Sequence, residues 1–256
     1  MPFAVDDLRW PTFYLPPPWP RVGSGVPLPP EETRHALRAL RLSSGARVRL
    51  VDGEGRVGQG TLQIVGRGRA QVALEWQVAD ATQRGRMVLA VPWLRAPARL
   101  DWLVEKGTEL GVAAFAFYRA ARSVKRRVRR PEARMERWRA IARSAMKQSG
   151  RAWWPRVDLH SSLGELALEH RDAACLVATP EAPRAFSTRT WLPASDMLLL
   201  LVGPEGGLSP EEEALLTARR AGRIGLGPRR LRVETAALAL TVLVGEGLAC
   251  VEEADG

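Results

Sequence analysis

Residues 198–216 read LLLLVGPEGGLSPEEEALL, and the expected fold class follows from them. The apolar run from Met197 to Val202 is typical of a strand buried on both faces of a parallel sheet. It stops at GPEGG, residues 203–207, where three glycines permit positive φ angles and leave few side chains over the backbone. Backbone N–H and C=O groups are therefore available to a ligand here.

A helix is predicted directly after this loop. Ser209 is the expected N-cap, Pro210 suits the first helical position, and Glu212 completes a capping box. Gly222 is the expected end of the helix. A strand, a glycine loop and a capped helix in this order predict an α/β fold with a ligand site at the carboxyl end of a parallel strand.

A second glycine loop follows at residues 224–227, and Arg229, Arg230 and Arg232 come next. Glu234 then begins a long helix that is apolar on nearly every side, which predicts that the helix is buried. Because one face of such a helix would stay exposed in a single domain, a subunit interface is predicted. Either loop alone is compatible with an ordinary βα turn. Neither carries the G-x-G-x-x-G of a dinucleotide fold or the Gly-Lys-Ser/Thr of a Walker A loop.

The overall composition indicates a globular protein of one large or two modest domains, with 256 residues, 46% hydrophobic and 26% charged. No signal peptide is recognised, and the apolar run from Thr235 to Val251 is interrupted by Glu246 and too short for a membrane span. Cys175 and Cys250 lie in apolar segments, which favours buried thiols and a cytoplasmic location. The histidines form no metal-ligand spacing, so no metal is predicted.

Positive charge is concentrated in the middle of the chain. Residues 86–160 hold 18 basic and 6 acidic side chains, whereas residues 161–256 hold 9 and 14. A polyanion-binding face requires such an excess. Genome bias would explain why arginine outnumbers lysine, but it would not explain why the excess lies in one third of the chain.

The N-terminal third predicts a small antiparallel β domain. A helix is expected from Pro30, with Leu37 and Leu40 on its apolar side. Strands follow in which side chains alternate between the two faces, with a period of two residues. Arg47 and Arg49 would lie on an outward strand face, either as contacts to a polyanion or as ordinary surface charges.

A strand at 87–91 begins the second domain. The helix expected at 100–110 has Trp102, Leu103 and Leu110 on its core side, and Gly107 inside it predicts a close packing contact. The further elements predicted are strands at 112–118 and 173–178 and helices at 131–149 and 163–170.

Two adjoining motifs, GPEGG at 203–207 and LGPRRLRVETA at 226–236, resemble the C-terminal signature of the RsmE family. Earlier segments match it too: residues 35–41, KGTELG at 106–111 with Gly107 in place of the family's alanine, Arg122-Ser123, and Gln148 with Arg151.

RsmE proteins are SPOUT-superfamily methyltransferases that act on N3 of a uridine in 16S ribosomal RNA. The resemblance implies a trefoil-knotted α/β domain with a mostly parallel sheet at residues 85–256, binding S-adenosylmethionine. It implies a PUA-like β-barrel RNA-binding domain at residues 1–84. It also implies a homodimer that acts on the 30S subunit, with the cofactor near the dimer interface.

On this resemblance, three strand-exit loops would bind S-adenosylmethionine, and their backbone amides would recognise the adenine. The assigned residues are Ala178, Thr179, Pro180, Val202, Gly203, Pro204, Glu205, Gly206, Leu226, Gly227, Leu231, Arg232, Thr235 and Ala236. RNA contacts are assigned to Arg38, Arg122, Arg126, Arg127, Arg129, Arg130, Lys147, Gln148 and Arg151.

Three residues are candidates for the chemistry. Uracil N3 bears a proton at neutral pH, and arginine is a poor base. Arg232 is therefore expected to orient the base or to stabilise negative charge on a uracil oxygen. Glu205 and Glu234 are the candidate proton acceptors or orienting groups. Each also has a structural alternative, because Glu234 begins a helix and Glu205 can hold its own loop.

Three functions remain open from the sequence. The first is an RsmE-type RNA methyltransferase, acting on 16S ribosomal RNA or on another RNA. The second is a non-catalytic RNA-binding or ribosome-assembly protein on the same fold, and the third is an enzyme that binds a different nucleotide in these loops.

Overall fold

The computed structural model describes residues 9–79, 87–94, 96–122, 131–180, 182 and 197–255, with side chains up to residue 248. The chain forms two units, residues 1–84 with 143–154, and residues 85–142 with 155–256. The division expected between residues 84 and 85 differs from this in one segment, because residues 143–154 pack with the first unit. No helix in the described ranges is both long and apolar enough to cross a membrane.

A five-stranded sheet forms the first unit. Its strands are β1 (Thr12–Tyr14), β2 (Gly25–Pro27), β3 (Arg47–Val51), β4 (Arg56–Gly66) and β5 (Arg69–Ala79). They lie in the order β1-β3-β4-β5-β2, and all neighbours are antiparallel except β1 and β3. The core on one side of this sheet is built around Phe13, Leu50, Leu62 and Leu74.

The N-terminal helix departs from the expected pattern. α1 (Pro30–Arg34) continues as a π-helical turn at His35–Ala39, in which the Leu40 N–H donates to the His35 carbonyl at 3.0 Å. The wider turn directs Ala36 into the core and leaves Leu40 exposed. The predicted apolar side is therefore wrong at Leu40, whereas Leu37 is half-buried.

The outward position expected for Arg49 is also wrong. Its side chain is buried, and its Nη1 donates to the Gly150 carbonyl at 2.5 Å. Residues 143–154 cover this face of β3, where Val51 packs against Met146 and Ala152. Arg49 is thus buried by a segment 101 residues away in the sequence, although the alternating pattern of the strand places it on the outward face of the sheet.

The second unit contains the parallel sheet that the sequence predicted. Its strands are β6 (Met87–Pro92), β7 (Ala114–Tyr118), β8 (Arg156–His160), β9 (Ala174–Ala178), β10 (Leu198–Val202) and β11 (Gly222–Ile224). All are parallel, in the order β11-β9-β10-β6-β7-β8. Cys175 on β9 is buried, as expected, and burial raises the pKa of its thiol to about 11.

Helices and loops connect these strands. They are α2 (Pro97–Glu109), α3 (Pro131–Ser149), α4 (Leu163–Glu169), α5 (Pro210–Ala218) and α6 (Val233–Asp255). On α2, Leu103 is buried as predicted, but Trp102 and Leu110 are exposed, so that part of the predicted core side is wrong. A Cβ on Gly107 would lie 2.7 Å from the Phe115 ring, which confirms the close packing contact.

The capping box of α5 is confirmed. The Ser209 side chain accepts from the Glu212 N–H, and the Glu212 carboxylate accepts from the Ser209 N–H. The end of the helix is not at Gly222, which instead begins β11. Arg220 has a φ of 54° and makes the left-handed turn that glycine usually makes.

Candidate functional site

Three loops leave adjacent strands at one edge of the parallel sheet. Because β9 lies between β10 and β11, the loops after Ala178, Val202 and Ile224 emerge side by side. The N–H of Thr179 donates to the Ile224 carbonyl at 2.9 Å and joins two of these loops. The predicted cofactor residues are therefore gathered at the carboxyl edge of the sheet.

The loop after β11 carries unpaired backbone amides. Pro228 has no N–H, and within the residues that the structure describes the N–H groups of residues 226, 227 and 229–231 donate no hydrogen bond. Gly227 has a φ of +109°, and a Cβ added there would meet nothing within 4 Å. Leu226 and Leu231 are half-buried beside these amides. Unpaired amides next to apolar side chains suit a ligand that has a flat ring with polar edges.

The GPEGG loop after β10 is open on one side. Gly207 has a φ of +74°, and among the residues that the structure describes, added Cβ atoms at Gly206 or Gly207 would approach only Arg122, at 3.8 Å. The Nη1 of Arg122 donates to the Gly206 carbonyl at 3.4 Å. The structure thus places this predicted RNA-binding arginine against the predicted cofactor loop.

A buried carboxylate fixes the position of the segment that carries Arg122. Glu212 accepts from the Ala121 N–H through Oε1 and from the Ser209 N–H through Oε2, both at 2.8 Å. The chain after β7 is therefore fastened to the start of α5.

Arg99, on α2, contacts both candidate carboxylates. Its Nε donates to Glu234 Oε1 at 2.7 Å, and its Nη2 donates to the other oxygen of the same carboxylate. Its Nη1 donates to Glu205 Oε1 at 3.1 Å. The sequence did not single out Arg99, since Glu205 and Glu234 lie 106 and 135 residues away. A basic residue in the first turn of a helix, where the helix dipole disfavours it, was the one available signal.

Glu234 is held as an anion. Burial raises the pKa of its carboxyl, but the hydrogen bonds from Arg99 and the charges of Arg99 and Arg232 act against burial, and the pKa lies below its usual value of 4.5. A carboxylate whose two oxygens are occupied by a guanidinium and whose pKa is low is a weak proton acceptor.

The residues beside Glu234 face in different directions. Arg232 and Thr235 are exposed, whereas Ala236 is buried. The charge of Arg232 reaches Glu234, as the pKa of that carboxyl records. Arg232 is therefore the exposed cation at the start of α6.

In the first unit, the four predicted RNA-binding residues have unlike environments. Arg38 and Gln148 are exposed. Lys147 donates to Glu32 at 2.6 Å, and Glu32 is almost fully buried. Burial lowers the pKa of Arg151 to about 10. Their contact with RNA remains a prediction. Arg126, Arg127, Arg129 and Arg130 lie outside the described residues.

An aromatic pair that sequence analysis did not identify lies in the same unit. Tyr14 and Trp154 stack with ring centroids 5.3 Å apart. The Arg143 guanidinium lies 4.8 Å from the Tyr14 ring centroid and 5.4 Å from that of Trp154. Cation–π contacts therefore fix this arginine.

Two family models match the chain. Residues 82–245 match an RNA methyltransferase domain, and residues 28–75 match an RNA methyltransferase PUA domain.

Two curated relatives are more than a third identical to the chain over the residues that align. Ribosomal RNA small subunit methyltransferase E of Bacillus subtilis is 35% identical over 217 residues, which are 81% of this chain and 84% of that protein. The protein of the same name from Mycobacterium bovis is 36% identical over 234 residues, 88% of each chain.

Solved structures have the same fold. Ribosomal RNA small subunit methyltransferase E from Neisseria gonorrhoeae, bound to S-adenosyl methionine, aligns with a TM-score of 0.79 and 28% identity over 93% of this chain and 98% of its own. A probable rRNA-methyltransferase from Porphyromonas gingivalis aligns with a TM-score of 0.78 and 30% identity over 94% and 99%.

Proposed function

The chain belongs to the RNA methyltransferase family whose domain model matches residues 82–245, and we propose that it methylates small-subunit ribosomal RNA at N3 of one uridine, with S-adenosylmethionine as methyl donor. The RNA substrate is proposed from the names of its relatives, and the uridine and its N3 atom from the sequence resemblance. The donor is proposed from the Neisseria gonorrhoeae structure.

The observation that best supports the donor site is the set of unpaired amides at residues 226, 227 and 229–231, at the same edge of the sheet as the open GPEGG loop. Leu226 and Leu231 would pack against an adenine, and the amides would bind its polar edge. S-Adenosylmethionine would supply a methyl group activated by a positively charged sulfur. These residues therefore fit the adenine of the proposed donor.

Arg232 is proposed as the residue that stabilises charge on the uracil. It is exposed, and as a permanent cation it would bind a uracil oxygen while the N3 proton is lost. Glu205 is the better proposal for proton acceptor, because its side chain is 65% exposed and accepts one hydrogen bond from Arg99. Glu234 is proposed as an orienting group, since Arg99 occupies both of its oxygens.

RNA binding is proposed for the first unit and for Arg122. Arg38, Gln148 and Arg151 would contact the RNA of the 30S subunit there, as the PUA domain match at residues 28–75 suggests. A ribosomal substrate would place the protein in the cytoplasm.

A homodimer is proposed from the surface of α6. Val242 and Leu243 on this helix are 43% and 41% exposed, and Leu238 and Ala239 are half-buried next to them. A second copy of the chain would cover this apolar surface.

Transfer of a labelled methyl group tests the function. Purified protein is incubated with labelled S-adenosylmethionine and 30S subunits from a strain that lacks the modification, and the labelled nucleotide is mapped. We expect label at N3 of one uridine of 16S ribosomal RNA. Cofactor binding without transfer would indicate a non-catalytic RNA-binding protein, and label in a different RNA would overturn the substrate.

A further inference from the structure

Arg99 joins two loops whose strands are not neighbours. Glu205 follows β10, and Glu234 lies in the first turn of α6 after β11; β9 separates these two strands in the sheet. Hydrogen bonds of the sheet therefore cannot set the distance between the two loops directly. Arg99 approaches from α2, a third element, and bonds to both.

The two bonds of Arg99 are unequal. Glu234 is bound by two nitrogens and its side chain is only 8% exposed, whereas the exposed Glu205 is bound by one nitrogen. Paired and desolvated charges hold their geometry more firmly than exposed ones. The Arg99–Glu234 pair is thus the fixed part of this arrangement, and the bond from Arg99 to Glu205 is the part that can adjust.

The fixed pair lies next to the proposed donor site. Glu234 is the second residue of α6, and the unpaired amides of residues 226–231 precede that helix directly. Any shift of the first turn of α6 would move these amides relative to the GPEGG loop.

We propose that Arg99 is a positioning residue for methyl transfer. It acts through its bonds to Glu205 and Glu234, which hold the two glycine loops at the separation that one bound donor molecule requires. This inference rests on the proposed function, because the donor is the ligand whose binding it explains.

The test removes the Arg99–Glu234 ion pair without leaving a buried charge unpaired. Arg99→Gln/Glu234→Gln replaces the ion pair by two neutral side chains. Arg99→Gln alone leaves the buried Glu234 carboxylate without its guanidinium partner. Arg99→Lys keeps one positive charge beside Glu234. Dissociation constants for S-adenosylhomocysteine, measured by calorimetry, and kcat at saturating donor are compared for the three variants and the wild type, together with their unfolding temperatures.

We expect the double variant to bind S-adenosylhomocysteine about 10- to 100-fold more weakly than the wild type, because small misplacements of binding groups cost this much. Arg99→Gln should be weaker still, because it also leaves a buried carboxylate without a partner. Arg99→Lys should fall between the wild type and the double variant, because one ammonium keeps a charge paired with Glu234 but cannot bind both of its oxygens and Glu205 at once. Arg139→Gln, which removes an exposed pair with Glu136 on α3, is the matched control and should bind like the wild type.

The outcomes separate the two proposals. A wild-type protein that does not bind S-adenosylhomocysteine would overturn the proposed function. A wild type that binds it, with a double variant that binds equally well, would overturn the positioning role even if the unfolding temperature falls. If Arg99→Gln does not fold, the double variant and Arg99→Lys decide the question.

Discussion

The phenol of Tyr118 donates a hydrogen bond to the carbonyl oxygen of Val202 at 3.0 Å. The two residues end β7 and β10, and β6 lies between these strands. Pro92, which ends β6, has no N–H to offer. Burial raises the pKa of Tyr118 well above its usual value, so the phenol remains a donor. This bond crosses a whole strand to hold the residue before the GPEGG loop.

Tyr118→Phe should therefore destabilise the protein. The Val202 carbonyl would be left buried without its partner, at a cost of about 1–3 kcal/mol. Urea unfolding followed by circular dichroism measures this loss. Tyr14→Phe is the control and should stay within about 0.5 kcal/mol of the wild type, because its ring stacking on Trp154 is kept. Equal midpoints for Tyr118→Phe and the wild type would contradict the prediction.

Gly107→Ala should also destabilise the protein, although alanine favours helix by about 1 kcal/mol. The new methyl would lie 2.7 Å from two atoms of the Phe115 ring, and overpacking costs about 1–3 kcal/mol. Phe115→Leu added to Gly107→Ala should recover part of the loss. Gly164→Ala on α4 is the control, because its nearest contact would be an ordinary 3.6 Å. A stabilised Gly107→Ala would show that the ring moves aside freely.

Acid should weaken the wild type more than Glu234→Gln. The folded pKa of the Glu234 carboxyl lies below its usual value of 4.5, so its ionised form adds stability above that value. This contribution is lost as the pH falls through the folded pKa. Arg99 and Arg232 are the charges that act on Glu234. Unfolding temperatures of both proteins between pH 7 and pH 3 should converge, and a constant gap would refute the assignment.

Val242→Glu/Leu243→Glu should convert a dimer into a monomer, because two charges would be buried at the proposed interface. Sedimentation velocity at micromolar concentration measures the change. Leu168→Glu on α4 is the control, since Leu168 is 70% exposed on another helix and should leave the mass unchanged. A wild type that sediments as a monomer would remove the basis of the prediction.

Local signals in the sequence predicted the parts of the site that depend on local geometry. The capping box of Ser209 and Glu212 and the exit loops of β9, β10 and β11 follow from residues adjacent in the chain. Arg99 could not be assigned in this way, because both of its partners are more than 100 residues away.

The incorrect expectations have the same physical origin. Trp102 and Leu103 are neighbours on α2, and a helical pattern cannot tell which side of the apolar surface another element covers. Arg49 is buried by a segment around Gly150. At Arg220, a left-handed turn is made without glycine, so the end of α5 had no signal.

The return of residues 143–154 to the first sheet has a consequence for biosynthesis. Arg49 and Val51 leave the ribosome long before Gly150 and Met146 exist, although these later residues cover them in the finished protein. The N-terminal unit therefore cannot mature as soon as residue 84 is made, contrary to the usual order in which domains fold during synthesis. In a polypeptide that terminates at residue 84, the Arg49 guanidinium and the apolar strand face at Val51 would be in contact with water, although both are buried in the complete protein.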